Sequence, residues 1–555
     1  MNDLAYEDLP AVYRIPPELL TEIFLHCYHD NTVYSSHTEA PFNLFSTCQR
    51  WRLVTLSIPL LWSSINVSFT HNACRPSLPV LNSWLDRSRT SPLAFSLMYQ
   101  GRNAFFDDDL ISKETLFAPL EALLVHLARW QNVYLDFSNV PNDAIFIPCP
   151  PSEPMVLKTL AIRTFEFHPR HTTLLIPVFM DWIASLAECS TSLDSFISYG
   201  RGYITHLSGF NSFFSVPWSR LTTLTLEHVS ETLALFILQR SFSLVSCNFA
   251  GLGHYPDWIP DDQHAGPQLR DEIFLPKLTV LNIITENDID RFWGHLIVPN
   301  LRELEVHMLP SARQWHQGED LVQFFRRSGS VFAAGSDTMP ATTSTLIQGP
   351  LTSTRGPPIS RLVLRNCNMR SRLGVCVKLL SDSLRDLSVT DKAMVDDAIM
   401  KLLTFPDRPT DNTASLSRLD TDNQNTDVGN EKEFLCPRLE QLTLRRCIAA
   451  ADGKTSRMVK SRWTLPSPGL SNGRIDVDVD KEGDELARKL RCVHIEFSNP
   501  EHAEDFDVLK EMYSTGLGGD VVVKKGVKLA KRKLTAENPP PANVPILQPP
   551  PLWRY

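Results

Sequence analysis

The stretch LTVLNIITENDIDRFWGHLIVPNLRELEV, residues 278–306, carries one short pattern at its start and again at its end. The pattern reads apolar-x-x-apolar-x-apolar, and its two copies start 23 residues apart. The copies place apolar side chains at Leu278, Leu281 and Ile283, and at Leu301, Leu304 and Val306. Alternation of this kind is typical of a short strand with one buried face. Each copy therefore predicts a strand.

The same pattern recurs along most of the chain. It appears at 157–162, 221–226, 244–249, 359–364, 384–389, 439–444 and 490–495, and in WQNVYL at 130–135. Several neighbouring copies start 23 to 27 residues apart. Between them, SETLALFILQRSF and CVKLLSDS have apolar residues at helical spacing. A recurring strand and helix at this period indicates a repeat architecture, in which no unit is stable without its neighbours.

The period and the pattern resemble leucine-rich repeats. The resemblance implies an α/β fold, a right-handed, horseshoe-like solenoid over about 125–520. The position that often holds Asn or Cys in such repeats is Cys367 in one copy and Cys447 in another, but most copies hold other residues. We therefore expect an irregular arc, with Cys367 and Cys447 as buried repeat positions and not as reactive thiols.

The N-terminal stretch YRIPPELLTEIFLHCY, residues 13–28, predicts a helix of about three turns. Pro16 and Pro17 fit a first helical turn, and Glu18 suits the N-terminal dipole. Apolar residues then recur at helical spacing: Leu19, Leu20, Ile23, Phe24 and Cys27. A second apolar stripe follows: Leu44, Phe45, Cys48, Trp51 and Leu56, and after it Trp62. We expect two or three short helices packed as one small bundle.

The segments PPELLTEIF, CQRWR and IPLLW, in this order, resemble the F-box, and the stretch after them resembles fungal F-box proteins. The F-box-like match covers 13–65. The resemblance implies an adaptor-docking module, with docking and its support at Pro16, Leu19, Leu20, Ile23, Trp51 and Trp62. It also implies a Skp-family adaptor and a cullin complex as partners, with the repeats binding an unknown target protein. The chain would then be the substrate receptor of a cullin-based ubiquitin ligase.

Two alternatives stay open for the N-terminal module. Its helices could serve only to cap a larger domain. The polar connection HDNTVYSSHTEA, residues 29–40, also fits a ligase-independent interaction scaffold with an F-box-like cap.

Composition limits the function classes. The formal net charge of −9 disfavours nucleic acid as the main partner, because phosphate binding needs concentrated Lys and Arg. No apolar run approaches the roughly 20 residues that span a bilayer, and the first residues do not resemble a signal peptide. The 11 cysteines lack paired close spacing, which favours reduced thiols. We expect a protein of the cytoplasm or nucleus that binds no membrane.

Motifs of catalysis and ligand binding are scarce. No P-loop, GxGxxG, GxSxG or HExxH occurs. DVDVDKEGDE resembles the start of a calcium loop, but Lys481 stands where glycine is needed. The histidines and cysteines between 26 and 48 match no common zinc spacing. We therefore expect no catalytic residue, no cofactor and no metal, with an enzyme as the least favoured class.

The sequence predicts this division: an N-terminal tail at 1–12, the F-box-like module at 13–65, a connecting helical region at 66–124, the repeats at 125–520 and a tail at 521–555. Three flexible insertions are expected at about 329–358, 405–433 and 452–485, because their polar composition cannot bury enough apolar surface. The tail is basic and proline-rich. KLAKRK fits a nuclear import signal or a solvated tail, and PPPLWRY fits a groove ligand or a disordered end.

Overall fold

The computed structural model describes residues 11–27, 40–70, 73–99, 113–138, 155–163, 175–200, 216–253, 270–286, 289–309, 318–333, 356–367, 369, 372–390, 395–405, 436–463, 490–498 and 502–523. The fold is mixed α/β with a parallel-dominated sheet, as the sequence predicts at this level. The chain divides into two compact units. Of the described residues, those up to 229 form the N-terminal unit and those from 230 onward form the C-terminal unit.

The N-terminal unit begins with helices and continues with strands and helices in turn. Its α-helices are α1 (Ala11–Arg14), α2 (Pro17–Cys27), α3 (Phe42–Thr47), α4 (Gln49–Ser57), α5 (Leu78–Ser88), α6 (Lys113–Leu124) and α7 (Leu175–Glu188). Short 3-10 helices span Pro59–Trp62, Leu127–Arg129 and Trp218–Arg220. Its strands are β1 (Ser64–Phe69), β2 (Cys74–Arg75), β3 (Leu93–Tyr99), β4 (Trp130–Asp136), β5 (Thr159–Arg163), β6 (Ser195–Tyr199) and β7 (Thr223–Glu227).

These strands pair in the order β2-β1-β3-β4-β5-β6-β7. Only the β2 to β1 pair among them is antiparallel. Leu160, Phe196 and Leu224 are directly opposite one another on successive strands, and all three are fully buried. In-register parallel pairing therefore stacks the apolar side chains of one strand on those of the next.

The C-terminal unit follows the same plan. Its strands are β8 (Ser246–Leu252), β9 (Ile273–Phe274), β10 (Val280–Thr285), β11 (Leu296–Ile297), β12 (Glu303–Met308), β13 (Arg361–Arg365), β14 (Asp386–Thr390), β15 (Gln441–Arg445), β16 (Cys492–Phe497) and β17 (Gly518–Val523). Its helices are α8 (Glu231–Leu238), α9 (Asp290–His295), α10 (Glu319–Ala333), α11 (Leu373–Leu379), α12 (Asp397–Leu403), α13 (Lys454–Arg462) and α14 (Ala503–Ser514).

Strands of this unit pair in parallel in the order β8-β10-β12-β13-β14-β15-β16-β17, while β9 pairs with β11 separately. One buried column crosses five of them in register: Leu304, Leu362, Leu387, Leu442 and Val493. All five side chains are buried on the same face of the sheet. This burial of apolar surface is the main stabilising contribution in such a sheet.

Every predicted pattern segment forms a strand, and its pattern residues are buried. Several strands end in the same way: His228, Asn366 and Arg446 have φ of 51°, 55° and 54°. The next residue in each case is buried, and two of these residues are Cys367 and Cys447. Their thiols contact the carbonyl oxygens of Val306 and Val389 on the preceding strand, at 3.5 and 3.3 Å. The predicted burial of both cysteines is confirmed.

The connecting region at 66–124 is not only helical, as the sequence analysis expected. It contains β3 and most of β1, because Ile65, Val67 and Phe69, and likewise Phe95, Leu97 and Tyr99, alternate with less buried residues and fill one face. Strand pairing therefore starts at residue 64, well before the predicted start at 125.

Four other boundaries also differ from the prediction. Helix α10 extends to Ala333, into the predicted insertion at 329–358, and α13 lies inside the predicted insertion at 452–485, where Met458 and Val459 bury its apolar face. Phe405, the first residue of the predicted insertion at 405–433, packs beside Arg462. Strand β17 extends into the predicted tail. The remaining parts of the predicted insertions, and the chain from 524 onward, lie outside the described residues.

Sequence alone missed β17 because it begins with two glycines. Gly519 has φ of +118°, and a Cβ there would lie 2.0 Å from the carbonyl oxygen of Val493. Close approach of the two backbones thus requires glycine at this position. Among the described residues, no helix is both long and apolar enough to cross a membrane.

Candidate docking surface

The N-terminal helical module is built around Trp62. Its indole is almost fully buried, and Nε1 donates a hydrogen bond to the carbonyl oxygen of Thr55 at 2.9 Å. The ring meets Trp84 edge-on at 5.5 Å, and the Arg87 guanidinium lies 4.6 Å from its centre. Such aromatic and cation–π contacts add to burial. Trp62 thus joins the module to α5.

Helix α2 packs on α4 through its buried face. Leu20 and Phe24, four residues apart, are buried, and the Phe24 ring meets Trp51 edge-on at 4.9 Å. Arg50 of α4 donates hydrogen bonds to the carbonyl oxygens of Tyr13 and Ile15. These contacts fix the direction in which the chain enters α2.

A face of α2 that neighbours the buried one, about 100° around the helix axis, is apolar and exposed. Leu19 is 56% exposed and Ile23 is 45% exposed, and Pro16 is exposed just before the helix. Spacings of three and four residues place Pro16, Leu19 and Ile23 on one side of the chain. We call these three residues the α2 face.

The six predicted docking residues are therefore divided by the structure. Pro16, Leu19 and Ile23 form the α2 face, whereas Leu20 and Trp62 lie in the core and Trp51 is half-buried between α2 and α4. In this conformation Leu20 and Trp62 can only support the surface, since neither is accessible to a partner. The apolar stripe in the sequence did not separate these two roles.

Sequence reasoning missed other exposed apolar residues of the module. Tyr13, Leu53 on α4 and Leu60 in the 3-10 helix are 41%, 63% and 44% exposed. Scattered exposed apolar residues are ordinary, but several on one small bundle are typical of an interaction surface. The sequence did contain a signal for Leu53, because this apolar residue lies off the buried stripe of its helix and so had to be exposed.

A second surface lies on the strands of the C-terminal unit, on the side opposite the leucine column. Arg361 pairs with Glu303 at 3.4 Å and with Asp386 at 3.2 Å, on the strands at either side of its own. Arg365 pairs with Glu305 at 2.9 Å. Partial burial raises the pKa of Asp386, and Arg361 acts in the opposite direction. Exposed pairs of this kind contribute little stability, about 0 to 1 kcal/mol each. The result is a mixed-charge surface and not a basic one.

The corresponding side of the N-terminal unit has a different character. Tyr134, Ala161, Ile197 and Tyr199 form a buried cluster with Met98 packed against it. Burial and the nearby Glu227 raise the pKa of Tyr199 to about 12. In the predicted strands at 130–135 and 157–162, Tyr134 and Ala161 alternate with the pattern residues, so a strand with one buried face would place both toward solvent. Their apolar and aromatic identity was the signal that both faces of β4, β5 and β6 are covered.

Comparisons with known proteins do not assign this chain to a family. No protein-family model matches the sequence. A search of curated proteins finds no significant match either.

Proposed function

We propose that this protein is the substrate receptor of a cullin-based ubiquitin ligase. In this proposal the module at 13–65 is an F-box that binds a Skp-family adaptor, and the later strands and helices are leucine-rich repeats that bind the target. The protein performs no chemistry itself. Its contribution is to hold the target beside a ubiquitin-loaded enzyme, so that lysine attack becomes effectively intramolecular.

The observation that carries the proposal is the α2 face. Pro16, Leu19 and Ile23 expose apolar surface on a helix whose neighbouring face is anchored by Leu20 and Phe24. A rigid helix that presents apolar residues at this spacing suits docking against a partner helix or groove. The F-box resemblance indicates that the partner is a Skp-family adaptor.

The repeats support target binding in a different way. The mixed-charge surface of the C-terminal unit alternates Glu303, Arg361 and Asp386 across adjacent strands. Alternating charges favour a protein partner of complementary pattern over a polyanion such as nucleic acid.

Ile23→Asp and Leu19→Asp in the full-length chain are each expected to weaken adaptor binding at least about 100-fold. A carboxylate buried without a partner in an apolar interface costs several kcal/mol, and each 1.4 kcal/mol is tenfold in affinity. Affinity is measured by biolayer interferometry with a purified Skp-family adaptor. Both side chains are exposed in the free protein, so the melting temperature should change little.

Val80→Asp is the matched control, because Val80 is an apolar residue of α5 with 43% exposure that lies outside the α2 face. It should leave adaptor affinity unchanged. If the α2 variants bind as tightly as the wild type, or if Val80→Asp is equally harmful, the α2 face is not the docking surface. A wild-type chain that binds no adaptor would favour the ligase-independent scaffold.

A further inference from the structure

The first turns of α13 and α14 bring together two carboxylates and an imidazole that are distant in sequence. Asp452 lies two residues before α13, His502 precedes α14, and Asp505 is in the first turn of α14. One potential ligand atom from each of these three residues lies within 4.8 Å of the other two. We call this group the helix-start cluster.

Helix capping explains only part of the cluster. The Asp452 carboxylate accepts hydrogen bonds from the backbone N–H groups of Gly453, Glu504 and Asp505, at 3.0, 3.1 and 3.0 Å. In return, Oδ1 of Asp505 accepts the N–H of Ser456 at 2.7 Å. Each aspartate thus caps the helix of the other. Capping occupies both oxygens of Asp452 and one oxygen of Asp505.

The two remaining atoms are buried and lack hydrogen bonds. Oδ2 of Asp505 and Nδ1 of His502 have no hydrogen-bonding partner in the part of the chain that the structure describes. Asp505 is fully buried, and His502 is 9% exposed. The two atoms are 3.5 Å apart, but their geometry is not that of a hydrogen bond. A buried carboxylate oxygen without a donor is rare in native proteins, and a bound cation would satisfy it.

The chemistry of the three side chains selects a cation. Two carboxylates and an imidazole nitrogen suit zinc and similar transition-metal ions, whereas calcium and magnesium prefer oxygen ligands alone. Tetrahedral ligands at about 2.0 to 2.1 Å from zinc are roughly 3.4 Å from one another. The separation of 3.5 Å between Nδ1 of His502 and Oδ2 of Asp505 therefore already fits.

The surroundings of the cluster also fit a metal site with one open side. The His502 ring stacks on Phe497 at 4.7 Å, which fixes the direction of its nitrogens. Asp452 is exposed, so water can complete the coordination.

We propose that Asp452, His502 and Asp505 bind one divalent transition-metal ion of the zinc class, which links the starts of α13 and α14. The proposal is independent of adaptor docking, because all three residues belong to the C-terminal unit and the α2 face belongs to the N-terminal unit. The sequence predicted no metal site because these ligands follow no known metal-binding motif. His502 and Asp505 form only an H-x-x-D pair, and Asp452 lies 50 residues before the histidine.

The test titrates chelator-treated, full-length protein with Zn²⁺ alone, in competition with a chromophoric chelator. The wild type is expected to bind one ion at the cluster, with a matching rise in melting temperature. Loss of an outer-shell partner weakens metal binding roughly 10- to 100-fold, so removal of a ligand in His502→Gln or Asp505→Asn should weaken this site at least about 100-fold.

Asp505→Asn also separates loss of metal binding from loss of folding. Asparagine retains an oxygen for the N–H of Ser456, and its amide group can donate to Nδ1 of His502, so the metal-free variant should melt no lower than the metal-free wild type. Cys492→Ser is the control, because Sγ of Cys492 lies 3.2 Å from Nε2 of His494 on β16 and a thiol beside an imidazole could also bind zinc. The proposal is overturned if zinc neither binds nor raises the melting temperature of the wild type, or if binding is lost in Cys492→Ser and kept in His502→Gln.

Discussion

Leu224→Ala is expected to lower the free energy of unfolding by about 2 to 5 kcal/mol, the range for removing a fully buried leucine side chain from a well-packed core. Leu224 is fully buried on β7 and lies directly opposite Phe196 of β6. The parallel strands on which it packs cannot close over the lost volume without breaking their register, so a cavity should remain. Urea unfolding of the full-length chain measures the change.

The neighbouring threonines provide the control for this prediction. Thr223 and Thr225 lie on the other face of the same strand and are only partly buried. Their alanine variants should stay within about 1 kcal/mol of the wild type. Hydrogen exchange should rise mainly in β6 and β7 for Leu224→Ala, because β7 carries the lost side chain and β6 is a strand on which it packs. Equal losses for leucine and threonine variants, or an even rise over the whole chain, would contradict the repeat reading.

Arg462→Ala is expected to cost roughly 3 kcal/mol or more, because it removes a buried donor that serves two buried carbonyl groups. Arg462 is 1% exposed. Its Nε donates to the carbonyl oxygen of Leu403 at 2.5 Å, and its Nη1 donates to that of Cys436 at 2.7 Å. Each carbonyl left unpaired costs about 1 to 3 kcal/mol, and the cavity adds to the loss.

Burial lowers the pKa of Arg462 to about 10, so the side chain is still charged at neutral pH. Leu403 and Cys436 lie on either side of the chain segment 406–435, and Arg462 therefore ties both ends of that segment to α13. Arg457→Ala on the exposed side of α13 is the matched control and should change stability by no more than about 0.5 kcal/mol. A small effect of Arg462→Ala in thermal and urea unfolding would show that the two carbonyl groups find other donors.

The secondary structure was predictable wherever the signal is local. In LTTLTL, the leucines and threonines of β7 take opposite faces because successive side chains of a strand point in opposite directions. Pro17 starts α2 where its missing N–H has no cost. β1 and β3 were not predicted, because the helical spacing of the neighbouring stretches led to the prediction of a helical region at 66–124.

The candidate site was predictable only in part. The spacing of Pro16, Leu19 and Ile23 comes from the helix period, which the sequence contains. Which apolar face of α2 is covered depends on α4, whose Trp51 packs on Phe24. Leu20 was therefore assigned to docking from the sequence and lies in the core in the structure.

The sequence by itself determined the strands that carry the apolar pattern, the buried phase of their leucines and the buried positions of Cys367 and Cys447, because each depends on neighbours within a few residues. Only the tertiary structure decided the contacts between segments far apart in the chain. Arg462 finds its acceptors at Leu403 and Cys436, and Asp452 meets His502 and Asp505. No local sequence pattern encodes these long-range contacts, because they form only when parallel strands in register bring the helices that follow them side by side.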